Sequence, residues 1–165
     1  AVVLYTRGVA ADSPAAGLVA KQINYDGTKG SDKAMSFNVQ CLGQGTPLEW
    51  CVLLSNGQIT HSSAASTSDK DDGASSSSGL AAYIQMVDIN SGTPTVKIED
   101  STNGSSWADL VSFSGIADGA EPKAERVTVS GNVNRYLRIT STGTFSNAKF
   151  VLAYRRGESV DDTAY

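Results

Sequence analysis

The chain is poor in the residues from which reactive sites are usually assembled. Of its 165 residues, one is histidine and two are cysteine. A Ser/His/Asp arrangement needs a buried, oriented imidazole, and His61 stands at the edge of a Ser/Thr tract, where it reads as a solvated loop histidine. Cys41 and Cys51 frame the stretch CLGQGTPLEWC, too wide for a CxxC redox or zinc pair and without a histidine nearby. They can bridge a hairpin as a disulfide or stay as two reduced, half-buried thiols. The thiol reading is preferred, because an unbridged cysteine packs as a small hydrophobe.

Long apolar runs are also missing. No stretch approaches the roughly 18 residues that cross a bilayer as a helix, and the opening AVVLYTRGVAADS lacks a charged start followed by a sustained apolar region. Neither a membrane span nor a signal peptide is expected. A start at Ala1 rather than Met fits either a removed initiator or a fragment of something longer. Charge is sparse, 18% of residues, and nearly balanced at a net −4, with both signs interspersed. That leaves no basic footprint for sequence-specific nucleic-acid binding. GQGTP supplies Gly43 and Gly45 but no third glycine and no following helix, so it reads as a tight turn, and no phosphate loop is present.

What the chain has is alternation. In MSFNVQCL, Met35, Phe37, Val39 and Cys41 alternate with Ser36, Asn38, Gln40 and Leu42, the period-two pattern of a half-buried strand. Similar patterns predict strands near 2–7, 18–25, 48–54, 80–89, 94–100, 108–114, 124–130, 134–141 and 146–155. The breaks YDGTKG, GQGTP, NSGTP, STNGSS, DGAEP and STGTFSN carry turn residues. No clean helical stripe appears. Many short strands at regular spacing predict an all-β fold, a sandwich or a barrel.

One compositional shift divides the chain. Residues 60–79, THSSAASTSDKDDGASSSSG, hold no apolar residue larger than Ala. With little to bury they cannot offset the entropy of ordering, so they read as a linker or long mobile loop. Residues 80–157 read as the sandwich domain and 158–165 as a tail. Residues 1–59, with about four strands, are few for an independent unit and are expected to complete a larger sheet supplied by a missing part of the protein or by neighbouring chains. Within RYLRITSTGTFSNAKFVLAYRR a hairpin is expected, with Leu137 and Ile139 meeting Phe150, Leu152 and Tyr154 on one face and Arg138, Lys149 and Arg155 on the other. Arg155 and Arg156 are expected at the surface, where they contribute little to folding and are placed to meet a neighbour's carboxylates.

Two acidic clusters, Asp69, Asp71 and Asp72 in DKDDG and Glu99, Asp100, Asn103 and Asp109 in EDSTNGSSWAD, offer oxygen ligands without the spacing of a calcium loop; solvated turns are the simpler reading. Trp107, with Trp50, Tyr83, Tyr136 and Tyr154, offers a platform for sugar, although aromatics in sandwiches serve more often as core or interface anchors. No catalytic, cofactor-binding or metal residue is assigned, and no cofactor is expected. By elimination the chain is not an enzyme.

Three blocks, GLVAKQINYDGTKGSDKAMSFNVQCLGQGTPLEWCVLL, GLAAYIQMVDINSGTPTVKIEDSTNGSSWADLVSF and AERVTVSGNVNRYLRITSTGTFSNAKFVLAYRR, in this order and over most of residues 17–157, resemble the major tail (tail-tube) proteins of long-tailed bacteriophages. The resemblance implies that the first block supplies closing strands of a tube-type β-sheet domain and that the later blocks form an appended antiparallel sandwich of immunoglobulin or jelly-roll type. It also implies a further N-terminal stretch ahead of AVVLYTRG in full-length relatives. A virion structural protein follows from it, most simply a tail-tube subunit in rings, expected to be hexameric, with other virion proteins as partners, passive passage of DNA and no membrane. Virion assembly would take place in the host cytoplasm. Capsid decoration and a carbohydrate- or host-surface-binding sandwich are the alternatives.

Overall fold

The computed structural model describes residues 1–29 and 35–157, apart from the Phe37 side chain. The all-β expectation holds: among the described residues there are strands and turns but no helix, and every pairing is antiparallel. The strands are β1 (Val2–Thr6), β2 (Pro14–Lys29), β3 (Met35–Gly43), β4 (Glu49–Leu53), β5 (Ile59–His61), β6 (Ala65–Ser66), β7 (Lys70–Asp71), β8 (Leu80–Asp88), β9 (Ser91–Gly92), β10 (Thr95–Ser101), β11 (Ala108–Ser112), β12 (Lys123–Val129), β13 (Tyr136–Thr142), β14 (Phe145–Ser146) and β15 (Ala148–Arg156). A large sheet runs β1-β2-β4-β15-β8-β12, with β3 on β2 and β5 on β15. A smaller sheet runs β11-β10-β13-β6, with β7 also on β13.

The two sheets close on one core, and alternation explains which residues enter it. In β13, Leu137 and Ile139 are fully buried while Tyr136, Arg138 and Thr140 are not; in β10, Val96 and Ile98 point in. From the large sheet come Leu80, Ala82, Ile84 and Met86 of β8 and Phe150, Leu152 and Tyr154 of β15. β8 is central and buried on both faces, which is why LAAYI reads as a continuous apolar run.

The expected hairpin of β13 and β15 does not form. β13 pairs with β10 in the small sheet, and β15 pairs with β8, β4 and β5 in the large one. The chain crosses the core edge between them through Gly143 (φ +100°), β14 on β9, and Asn147 (φ +49°). Leu137 and Ile139 still share a core with Phe150 and Leu152, but across the sandwich rather than along a turn. Alternation specifies which face a side chain takes, and both faces were read correctly; it carries no information about the hydrogen-bonded neighbour.

The sequence division at residues 60–79 does not carry into the sheets. β4, within residues 1–59, and β5, which straddles the boundary at 59 and 60, both pair with β15. β6 and β7, inside the Ser-rich tract, lie along the edge of β13. There Thr67 donates its N–H to the Ile139 carbonyl and accepts from the Ile139 N–H on its Oγ1, at 2.8 and 3.0 Å. A strand edge asks only for hydrogen-bonding groups, from backbone or from a short hydroxyl such as that of Thr67, so a tract without large apolar side chains can still cover it.

The far half of the large sheet curls, bringing β1 against β8 and β12. A second, smaller core fills the curl: Ala15, Cys51, Leu53, Tyr83 and Ala153, with Val2, Leu4 and Val151 against them. Small residues make this possible. A Cβ placed on Gly17 would stand 2.5 Å from ring carbons of Tyr83, so the backbone of β2 lies directly on that ring.

Candidate assembly surface

Beyond Val19 the long β2 leaves the body. Residues 20–29 pair with β3 and with no other strand among the described residues, forming an arm of nine or so paired residues, roughly 30 Å long. Residues directly opposite in an antiparallel pair share a face. Gly43 and Cys41 lie opposite Ala20 and Gln22; a bulge then expels Ile23 from the ladder, and Val39 and Met35 lie opposite Tyr25 and Lys29. Met35, Val39 and Cys41 of the apolar series read from MSFNVQCL therefore do line one face of the arm, with Asn24, Asp26 and Thr28 opposite Gln40, Asn38 and Ser36 on the other. The expectation of half-burial fails: Met35 is 61% exposed, Val39 48% and Tyr25 57%, and Cys41 is exposed.

The same face continues down into the body. Ala16 lies between Tyr5 of β1 and Trp50 of β4, and Val3 lies opposite Leu18. Val52, two residues on from Trp50, packs against the main core beside its partner Tyr154. One side of the large sheet thus runs from the sandwich core through Val52 and Trp50, across Ala16 and Leu18 to Val3 and Tyr5, and out along the arm. Over β8 and β15 the small sheet covers it; beyond Val52 its large side chains at Trp50, Tyr5, Val3, Tyr25, Val39 and Met35 are exposed, with Ala16 and Ala20 buried between them. Trp50 is the most exposed of its aromatics at 65%. Apart from Val87, every large exposed hydrophobic residue described in the chain lies within residues 3–50.

The opposite side of the sheet is tied by a buried charge cluster. Glu49, 3% exposed, receives Arg126 through Nε at 2.8 Å and Nη2 at 3.0 Å, together with the Tyr83 hydroxyl, and Arg155 approaches to 3.8 Å. Burial alone would raise the Glu49 pKa, but the hydrogen bonds from Arg126 and Tyr83 hold it below the ordinary carboxylate value. The cluster joins β4, β8, β12 and β15 on the side of the sheet opposite Trp50 and Val52. Cys51, in the same interior, has its thiol pushed up to about 12 by burial and then by the neighbouring Glu49 charge. Both cysteines are free thiols.

The acidic clusters are occupied by the protein's own donors. Asp72 pairs with Lys70, accepts the Tyr154 hydroxyl at 2.5 Å and Arg156 Nε at 2.7 Å, and Lys70 also reaches Asp12 at 2.9 Å. Asp71 pairs bidentately with Arg135, and Asp69 is exposed. Glu99 accepts Arg138 and Thr140, Asp109 accepts Lys97, buried Asp100 accepts the Asn134 N–H, and Asn103 caps its own turn. Among the described residues no three His, Cys, Asp or Glu side chains are grouped to hold a metal.

His61 is not solvated: it is 8% exposed, with Nδ1 2.6 Å from Ser141 Oγ of the opposite sheet and its ring edge-on to Phe150 at 5.3 Å. Burial lowers its pKa and keeps it neutral. The Ser/Thr context that suggested solvent is an edge strand folded over the core. Arg156 is not a free surface charge, since it also donates to Ser76 Oγ and to the carbonyls of Val133 and Asn134. The aromatic platform does not assemble either. Tyr83 and Tyr154 are buried, Trp107 is stacked by Arg138 with 4.3 Å from guanidinium carbon to ring centre, and only Trp50 remains widely exposed.

Compared with protein-family models and with curated proteins, the chain matches none.

Proposed function

We propose that this chain is a non-enzymatic structural subunit of a bacteriophage virion, a tail-tube protein whose copies close into rings. The observation that carries the proposal is the series of exposed apolar side chains on one face of the sheet, from Trp50 and Tyr5 through Tyr25 and Val39 to Met35 on the arm. An isolated two-stranded ribbon is marginal in water, and a sheet face of this kind is normally covered. The exposed apolar residues are confined almost entirely to residues 3–50, so when copies of the chain meet, the apolar match is between the N-terminal strands of one and the N-terminal strands of the next. Arm against neighbouring body is a heterologous contact, the type that closes into a ring when the rotation per subunit permits. The tail-tube assignment itself rests on the sequence resemblance.

The test is electron microscopy of the purified protein with light scattering on the same samples. Rings or tubes are expected, and Val39→Asp or Trp50→Asp should leave folded monomers. Monodisperse monomers of the parent at high concentration would sink the proposal. The sugar-binding alternative now rests on Tyr5 and Trp50, which flank Ala16 in the open; glycan binding lost in Trp50→Ala, with assembly absent in the parent, would favour it.

A further inference from the structure

Two asparagines precede glycine in this chain, Asn56–Gly57 and Asn103–Gly104. A following glycine has no Cβ to keep its backbone nitrogen from swinging onto the asparagine side chain, so both pairs are prone to cyclise. In sequence they look equivalent. The structure separates them.

Asn103 is held at both reacting groups. Its Oδ1 accepts Ser101 Oγ at 3.1 Å and the N–H groups of Ser105 and Ser106 at 2.9 Å each, which turns the carboxamide forward along the chain. The nitrogen that would attack, that of Gly104, donates backward to Ser101 Oγ at 3.0 Å. Cyclisation there requires breaking these bonds together. Asn56 lies in the turn between β4 and β5 and is exposed. Among the described residues neither its carboxamide nor the Gly57 N–H has a hydrogen-bond partner, and Gly57 adopts φ +62°.

We infer that Asn56 is the chain's site of spontaneous deamidation and that Asn103 is protected by its turn. The Gly57 nitrogen, giving up its proton to water, forms a bond to Asn56 Cγ. The Cγ–Nδ2 bond breaks and the side-chain nitrogen leaves as ammonia, leaving a cyclic imide. Water then opens the imide at either carbonyl, giving aspartate or an isoaspartyl linkage, so water is the only co-reactant. The product places a new carboxylate in the groove lined by Ala10, Leu54, Asp69 and Lys70. The isoaspartyl form also lengthens the backbone beside Gly57, where a Cβ would already stand 2.8 Å from the Val9 carbonyl oxygen. It therefore pushes on the 9–12 loop that is tied to β4 by Asp12 N–H to the Leu53 carbonyl at 2.9 Å.

The experiment holds the folded full-length chain in mildly alkaline buffer and follows both sites by peptide mass mapping, with the chain in denaturant as the reference. The acid form should accumulate at Asn56, with Asn103 slower by on the order of tenfold in the folded chain and the gap erased in denaturant, because the protection comes from the folded turn. Ser101→Ala should bring Asn103 up towards the rate at Asn56, and Asn56→Gln should remove the main product. Equal conversion at the two sites in the folded chain would overturn the inference. So would an Asn56 that stays an amide when folded yet converts in denaturant.

Discussion

The two halves of the large sheet share one face and treat it oppositely. Over β8 and β15 the face carries Ile84, Met86, Phe150 and Leu152, all at 0–1% exposure under β10 and β13. Over β1 to β4 it carries Tyr5, Trp50, Val39 and Met35, at 48–65%. Alternation and side-chain size are much the same in both, so the pattern that marks a covered strand marks an exposed one equally well. What separates them is the second sheet, whose strands end where Lys70, Asp72, Tyr154 and Arg156 seal the border.

That comparison is sharpest at Phe150. Truncation to Ala in the covered half should cost about 3–5 kcal/mol, read as a fall in the denaturation midpoint, because it empties ring volume from a closed core. If Phe150→Ala melts like the parent, the face is not closed there and the contrast fails. Next in size is Gly17, at the seam between the halves: Gly17→Val should cost roughly 1–3 kcal/mol or more by forcing β2 off the Tyr83 ring. Tyr83→Ala together with Gly17→Val should then be less harmful than the sum of the two, a non-additivity measurable by a double-mutant cycle. Arg156→Ala, which opens the border, should cost about 1–3 kcal/mol through the carbonyls and the Asp72 carboxylate left behind.

A pH titration probes the covered half alone. The folded pKa of His61 is depressed below its ordinary 6.5 by burial, so the unfolded chain takes up the proton first. Its contribution is full above pH 6.5 and is lost as pH falls from there through the lower folded value. The melting temperature of the parent should drop over that interval, and His61→Gln should flatten the drop. Glu49 and Asp72 are held below their ordinary values of 4.5 and 3.8, and they act only further down. The smallest effect belongs to the uncovered half. Val39→Ser should change stability by within about 0.5 kcal/mol while abolishing assembly, since it removes surface exposed in the monomer. A loss like that of Phe150→Ala would mean the arm is buried in the monomer after all.

Much of the fold was legible in the sequence, and its limits are physical. Strand positions and inward faces at Leu137, Ile139, Phe150 and Leu152 follow from a two-residue period. Partners do not, because hydrogen bonding between strands is independent of side-chain alternation, and so β13 and β15 were paired where they face each other across a core. β6 and β7 leave no apolar pattern because an edge needs hydrogen-bonding groups rather than apolar side chains. His61 was misread because its burial comes from Phe150 and Ser141, residues about eighty or more positions away. The candidate surface was half legible: the apolar series in β3 was seen, but no local pattern distinguishes a face covered by its own chain from one left open.

Cys41 and Cys51 sit on either side of this distinction, and that makes the molecule its own reporter. Cys41 lies exposed on the arm face; Cys51 lies buried, its thiol pushed up to about 12. Alkylation proceeds through the thiolate and requires access, so a maleimide added to the dispersed subunit will consume one thiol quickly and spare the other. The rate at which that single modification slows as subunits are concentrated then measures, without any mutation, the fraction of arms that have found a partner.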